Sequence, residues 1–565
     1  MTVRLFPDRD TMRRLVAVAR RTQAADLVVS PGALIDVFTE EILEGWGVAI
    51  AAGRVAYVGP DAGKFEAAAR IEGDRHLLAP GLIEGHTHLL RLSLGETVRL
   101  QLAAGVTTSV FEAMELAYIL GPAAVRELLA DAGGLPGRAL FTVPTATMPD
   151  PLHDRSLGWG EEWVGLLDLP GVIGVGEANW TEVIRAHPRV EALIEGALAR
   201  GLTVEGHGAG AKEAALNATA GYGITADHEG ISAEDQLARL RLGLYAMLRH
   251  GATRQDLPGL AGLWNEGGLH DYGRLALVSD SLEPQDLLAG NSLNRVVEIA
   301  VENGMPLARA VRLASRNVAE RFGLGRWLGG LAPGMLADLV LIPRGGRSFR
   351  PELVLVGGRR AGELQRHRYP ESMTSTIRVG ELDPGLFRPP PRGRWRAIEV
   401  AGPLVTREVE TDGQDALVAV AIDRLGRDRA FRGLVRGLGM RGGAVAASTA
   451  WDGPCLIAVG DSADDMHAAV RRVQAINGGA VVVRGRAAVA EWPAPLAGVL
   501  SLDRAENVVG QVDRVNAALR EMGSPWPNPL LTIETLTTGV IPHLRLWAEG
   551  YVRLRDGAHL GLAWT

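Results

Sequence analysis

Five short apolar runs between residues 77 and 280 each lead into an imidazole or a carboxylate. Residues 77–83 lead into His86 and His88, 172–176 into Glu177, 202–204 into His207, 224–226 into His228, and 275–278 into Asp280. Runs of this length, bounded by turn-forming residues, read as buried strands. In a (β/α)8 barrel all strands point the same way, so their C-terminal ends gather at one mouth. A TIM-like barrel is therefore the fold that would bring six such distant side chains together.

The spacing fits that fold. One strand-helix unit separates His207 from His228, and the longer stretches before Glu177 and Asp280 leave room for intervening units. This places the six residues on strands one, four, five, six and eight. His86 and His88 alternate along an extended segment, so both face the same way. Gathered imidazoles and carboxylates are the ligands of a metal centre that activates water. The single cysteine, Cys455, excludes an internal disulfide and a thiolate cluster, so any metal sits among nitrogen and oxygen donors. Lys64 and Lys212 are the two lysines, and neither follows the fourth strand run. Glu177 does follow it, so a residue bridging two ions, if present, is a glutamate and not a carboxylated lysine. Each residue also has a plainer reading: Asp280, for example, is a residue type that caps helices.

At 565 residues the chain is too long for one core, and its length suggests about three or four domains. The net charge of −7 and the pI near 6.1 give no basic footprint for nucleic acid. No apolar stretch is long enough to span a bilayer, and Arg13, Arg14, Arg20 and Arg21 interrupt any signal core. The expectation is a cytoplasmic protein acting on a small molecule.

Alternating apolar positions within residues 1–80, broken by turn residues, predict short antiparallel strands, and a matching piece returns over 326–375. The two pieces should pair as one composite β-sandwich with the barrel, 81–325, inserted between them. Within the barrel, residues 234–248 and 287–303 read as helices. Residues 370–396, with a run of three prolines, read as an irregular linker, and 376–565 as a separate C-terminal α/β domain with strands at 417–422, 455–459 and 480–483.

The segment from Pro80 to His88 resembles the entry signature of the amidohydrolase superfamily, and residues 331–341 its exit signature. More narrowly, the chain resembles the adenine deaminase family over nearly its whole length. The stretches that carry this are residues 174–177, 205–207 followed by Leu216 and Asn217, 226–229 and 240–243, with 435–439, 493–498 and 540–544 in the third domain. The resemblance implies His86, His88, His207 and His228 as metal ligands, Glu177 as the bridging carboxylate, and Asp280 as ligand and general base. It also implies two divalent ions of iron, manganese or zinc, and a homodimer or larger homo-oligomer.

Three motifs depart from the family pattern. Residues 89–93 read Leu-Leu-Arg-Leu-Ser where the family has Ile-Glu-Ser-Ser after the paired histidines. Residues 112–115 read Glu-Ala-Met-Glu for Asp-Pro-His-Glu, and 450–455 read Ala-Trp-Asp-Gly-Pro-Cys for Ala-His-Asp-Ser-His-Asn. The metal shell is kept while groups expected near the substrate have changed. Arg91, Glu115, Glu229 and Trp451 are the candidate substrate contacts, with Glu115 as a group that protonates or holds a ring nitrogen. The expected reaction is hydrolytic deamination of adenine or a related aminopurine by a hydroxide shared between two ions. The alternatives are hydrolysis of another cyclic amide or N-substituted heterocycle, and a metal-binding homologue without turnover.

Overall fold

The computed structural model describes residues 5–145, 151–265, 269–345, 348–402, 405–450, 452–539, 543–554 and 556–565. Eight parallel strands pair in chain order: β1 (Leu82–Thr87), β2 (Val106–Glu112), β3 (Arg138–Pro144), β4 (Val172–Asn179), β5 (Thr203–His207), β6 (Ala226–Asp227), β7 (Tyr245–Arg249) and β8 (Leu275–Val278). Their apolar, near-continuously buried character is what a parallel sheet covered on both faces demands. The two ends of this sheet meet through a parallel bridge between Thr87 and Asp280. There the His88 N–H donates to the Asp280 carbonyl at 2.7 Å and the Asp280 N–H to the His86 carbonyl at 3.1 Å. The barrel is thus drawn together by the backbone of three residues picked out by their side chains.

Two helices expected from periodicity differ in extent. The run over 234–248 predicts one helix, but the chain forms Ala233–Arg241 and then strand β7 from Tyr245. Gly243 at φ +79° ends the helix with a left-handed turn, and Tyr245 to Arg249 pair with their neighbours in the barrel. A short apolar run suits either structure by pattern alone, so the pairing decides it. Likewise residues 287–303 split into the end of Pro284–Leu288 and Leu293–Glu302, with Gly290 at φ +75° between them.

Strands from both sides of the barrel share one eight-stranded sheet. Leu339–Pro343 runs antiparallel to the end of Ala67–Pro80, matching Leu341 with Leu78. Leu34, Ile50, Leu78, Leu339 and Leu341 meet in its core.

The C-terminal region forms a further eight-stranded sheet from Trp395–Val400 to Ala487–Pro493, with helices Ala463–Ala475 and Ala505–Glu521 against it. Its core is shared with the barrel. Leu92, Leu100 and Leu287 pack among Ile533, Leu536 and Trp492, while Leu89 and Leu90 belong to a cluster with Leu500, Leu531 and Trp547. Burial of this kind is worth roughly 25 cal/mol per Å² of apolar surface, so the third sheet is held against the barrel mouth. Among the described residues, no helix is long and apolar enough to cross a membrane.

Candidate metal centre and pocket

Strand β1 delivers His86 and, one step past its end, His88, with rings nearly perpendicular at an interplanar angle of 87°. Both Nε2 atoms face the same two carboxylates. His86 Nε2 lies 3.5 Å from Glu177 Oε1 and 3.7 Å from Asp280 Oδ1, and His88 Nε2 lies 3.5 Å from each. From the other side His207 Nδ1 and His228 Nε2 approach the same Glu177 Oε1 at 3.5 and 3.2 Å. One carboxylate oxygen thus belongs to two donor groups, His86-His88-Glu177-Asp280 and Glu177-His207-His228.

Those separations are telling. At 3.5 Å they are long for N–H···O hydrogen bonds. Two donors held about 2.1 Å from a common ion at a tetrahedral angle, however, stand about 3.4 Å apart. His86 Nε2 and His207 Nδ1 are buried without a hydrogen-bond partner, an expensive condition unless a ligand completes them. The donor set therefore fits a divalent metal centre.

Local backbone reinforces this. Glu177 and Asp280 adopt φ +30° and +66°, in the left-handed region that non-glycine residues avoid, and such strain collects at functional sites. Gly176 before Glu177 is required by space, since a Cβ there would stand 1.9 Å from the Glu112 carboxylate. That carboxylate is itself held by the Thr142 hydroxyl at 2.7 Å.

Further buried carboxylates hold the imidazoles from behind. Glu205 Oε2 pairs with His86 Nδ1 at 2.9 Å and is ion-paired through Oε1 with Arg321 at 2.5 Å. Glu115 Oε1 pairs with His88 Nδ1 at 2.9 Å and accepts from Leu89 N at 3.1 Å. Each pair fixes the ring so that the opposite nitrogen faces the centre. Asp280 is held on its other oxygen, where Oδ2 accepts from Arg249 Nη1 at 3.0 Å and Thr253 Oγ1 at 2.9 Å. Arg249 Nη1 also reaches Glu229 Oε1 at 2.6 Å.

The electrostatics show how strongly the site calls for positive charge. Burial alone would raise Glu177 and Asp280, but the facing imidazoles, with Arg249 at Asp280, hold both carboxyls well below their ordinary range. Burial would discharge His207, yet the Glu229 and Glu177 carboxylates push it up to about 9. Glu205 is likewise driven down to about 2 against its burial, first by Arg321 and then by His86. Glu112, pushed up to about 8 by burial and by the neighbouring Glu205 and Glu177, is the carboxyl this crowd keeps neutral.

A cavity of 420 Å³ opens over the centre. His88, Glu177, His207, His228, Glu229, Arg249 and Asp280 form its floor, while Leu89, Leu90, Ala209, Ala211 and Ile231 make an apolar wall. Val405, Leu531 and His543 complete the wall from the C-terminal region, so that region helps to shape the pocket.

The six residues expected at the strand ends therefore meet, on strands one, four, five, six and eight, and Glu229 lines the cavity beside them. Two other candidates stand elsewhere. Glu115 is fully buried behind His88, and the Arg91 guanidinium is taken up by Glu283 and Glu534 outside the cavity lining. Trp451 lies outside the described residues. Glu205, Arg249 and His543 carry no expected role from sequence, although signals for the first two exist. Glu205 alternates with His207 on one strand and so shares its face, and Arg249 ends an apolar run just as the recognised ligands do.

Comparison with known proteins agrees with this geometry. Residues 166–361 match the amidohydrolase family and residues 396–557 the adenine deaminase C-terminal domain. A protein named adenine deaminase from Archaeoglobus fulgidus is 34% identical, with 96% of this chain and 97% of that one covered. Proteins of the same name from Moorella thermoacetica and Rubrobacter xylanophilus are 32% and 33% identical, with at least 96% of each chain covered.

Proposed function

This chain belongs to the adenine deaminase family, and from that premise we propose that it hydrolyses adenine to hypoxanthine and ammonia at the centre described above. The observation that carries the reading is Glu177 Oε1, shared by two donor groups on opposite sides. In this reading His86, His88 and Asp280 would hold one divalent ion and His207 and His228 a second, with Glu177 within reach of both donor groups. The mixed nitrogen and oxygen donors suit iron, manganese or zinc. When bound, such a centre supplies a water acidic enough to react near neutral pH and polarises the carbon under attack.

The chain's own groups do the rest. Asp280 Oδ1 faces the histidine Nε2 atoms and the cavity, where it accepts the proton of the attacking water and returns it to the departing amine. The C6–N bond breaks, the carbon keeps the oxygen, and ammonia leaves with the transferred protons. Arg249 and Thr253 keep Oδ2 occupied, so Asp280 presents one oxygen in one direction. Glu229, fixed by Arg249 at the cavity floor, is placed to contact a ring nitrogen. Glu115 acts as a positioning residue for His88. The apolar wall strips water from a flat heterocycle and strengthens every polar contact beneath it.

Ammonia release from the metal-loaded protein, measured over adenine, other aminopurines and cyclic amides, tests the proposal. Adenine should be turned over with the highest kcat/KM of the panel. A higher value for a cyclic amide, or no release from any member, refutes it.

A further inference from the structure

Three segments that wall the pocket meet on one guanidinium. Arg91 follows the cavity residues His88, Leu89 and Leu90, and its backbone at φ +66° turns the side chain away from the cavity. Its Nε donates to Glu283 Oε2 at 2.8 Å, while Nη1 and Nη2 fork onto the two oxygens of Glu534 at 3.0 and 2.9 Å. Glu283 lies just after the cavity residues Asp280 and Ser281. Glu534 stands about one turn after the cavity residue Leu531 in helix Pro529–Glu534. Asn528, which caps that helix, donates to Glu283 Oε1 at 3.0 Å, so two of the segments are also tied directly. Thr449 donates to Glu534, and the Trp492 ring lies 5.1 Å from the guanidinium carbon.

Arg91 and Glu534 each expose 1% of their side chains. Taking these charges from water costs several kcal/mol per ion, and apolar residues of the same size commonly serve a core as well or better. What the cluster offers instead is direction. A planar fork meeting a carboxylate in two parallel hydrogen bonds admits one placement of its partner. Here that placement sets Leu89 and Leu90, Ser281, and Leu531 relative to one another.

We propose that Arg91 is a positioning residue that fixes the shape of the pocket, and hence its selectivity for a flat aminopurine, by locking the β1 loop, the β8 loop and helix Pro529–Glu534 into one wall. This rests on the deaminase reading above for the identity of the substrate. None of the three charged groups lines the cavity, so the clamp acts on binding more than on the chemical step.

The test compares three variants of the full-length, metal-loaded enzyme with wild type. Arg91→Met/Glu283→Gln/Glu534→Gln removes every charge of the cluster together and leaves no buried ion unpaired. Arg91→Lys keeps the charge without the fork. Leu531→Ala opens the wall without touching the cluster. The proposal expects the triple variant to fold and to keep its metal, with KM for adenine raised about tenfold or more and kcat lowered less than about threefold. Arg91→Lys should fall between it and wild type, and Leu531→Ala should reproduce the rise in KM. Wild-type KM in the triple variant or in Leu531→Ala, or loss of metal in step with loss of activity, overturns it. Should the triple variant not fold, the other two decide alone. If the wild-type enzyme prefers another heterocycle, the deaminase reading fails, and the same comparison on that heterocycle still decides the clamp.

Discussion

Replacing Asp280 with Asn separates proton transfer from metal binding. General acid-base catalysis by one positioned group contributes roughly 10²- to 10⁴-fold, or about 3–5 kcal/mol at 1.36 kcal/mol per decade. The surroundings of Asp280 place this substitution at the upper end. Asp280 Oδ2 accepts from both Arg249 and Thr253 while Oδ1 faces His86 and His88. An asparagine has one acceptor oxygen. Turned towards the imidazoles, it leaves its NH2 against the Arg249 guanidinium, donor against donor; turned the other way, it withdraws a ligand. The expected loss in kcat is therefore about 10³-fold or more. Stability should fall less, by about 1–3 kcal/mol, because Arg249 keeps its 2.6 Å contact with Glu229 and is not left alone. The assay is steady-state conversion of adenine by protein of measured metal content, with a thermal melt alongside. A variant that holds the wild-type amount of metal and works within tenfold of wild type would refute the role of Asp280 as proton carrier.

Glu205→Gln weakens the group that orients His86 and strands the Arg321 charge, so metal affinity measured by chelator competition should drop about 10- to 100-fold; unchanged affinity contradicts the positioning role. Gly176→Ala drives a Cβ to 1.9 Å from the Glu112 carboxylate, and a loss of about 1–3 kcal/mol should appear in denaturant unfolding, whereas wild-type stability would show that the strand can shift freely. The pH dependence of metal binding has a definite sign. In the metal-free protein His207 is raised to about 9, so at pH 7 an entering ion must displace its proton, and calorimetry in buffers of different ionisation enthalpy should register proton release and an affinity that climbs from pH 6 to 9. The same raised value stabilises the metal-free fold below the unfolded histidine pKa of about 6.5, and that contribution is lost as pH rises through about 9; a melting temperature of the metal-free protein flat over this range would count against it.

Much of this site could be read from the chain because its ligands obey a one-dimensional rule. An apolar run followed by an imidazole or carboxylate marks a strand end, and parallel strands in a barrel put their ends together. Where that rule applied, at His86, Glu177, His207, His228 and Asp280, sequence position and spatial position agree. Arg91 shows where it stops. Its place three residues after His88 suggested the substrate, but a left-handed φ sends it towards Glu534, a residue 443 positions further along. Glu115 followed the same course: its carboxylate stands behind His88, and only the fold shows which side of the imidazole it takes. The helix expected over 234–248 failed for a related reason, since the apolar residues of β7 satisfy a helical pattern until their strand partners are known.

Anomalous diffraction from crystals of the manganese- or zinc-loaded protein tests the shared carboxylate most directly. Two peaks about 3.5–4 Å apart are expected, one among His86, His88 and Asp280 and the other beside His207 and His228, with Glu177 touching both. A single peak, or two that Glu177 does not join, would contradict the account.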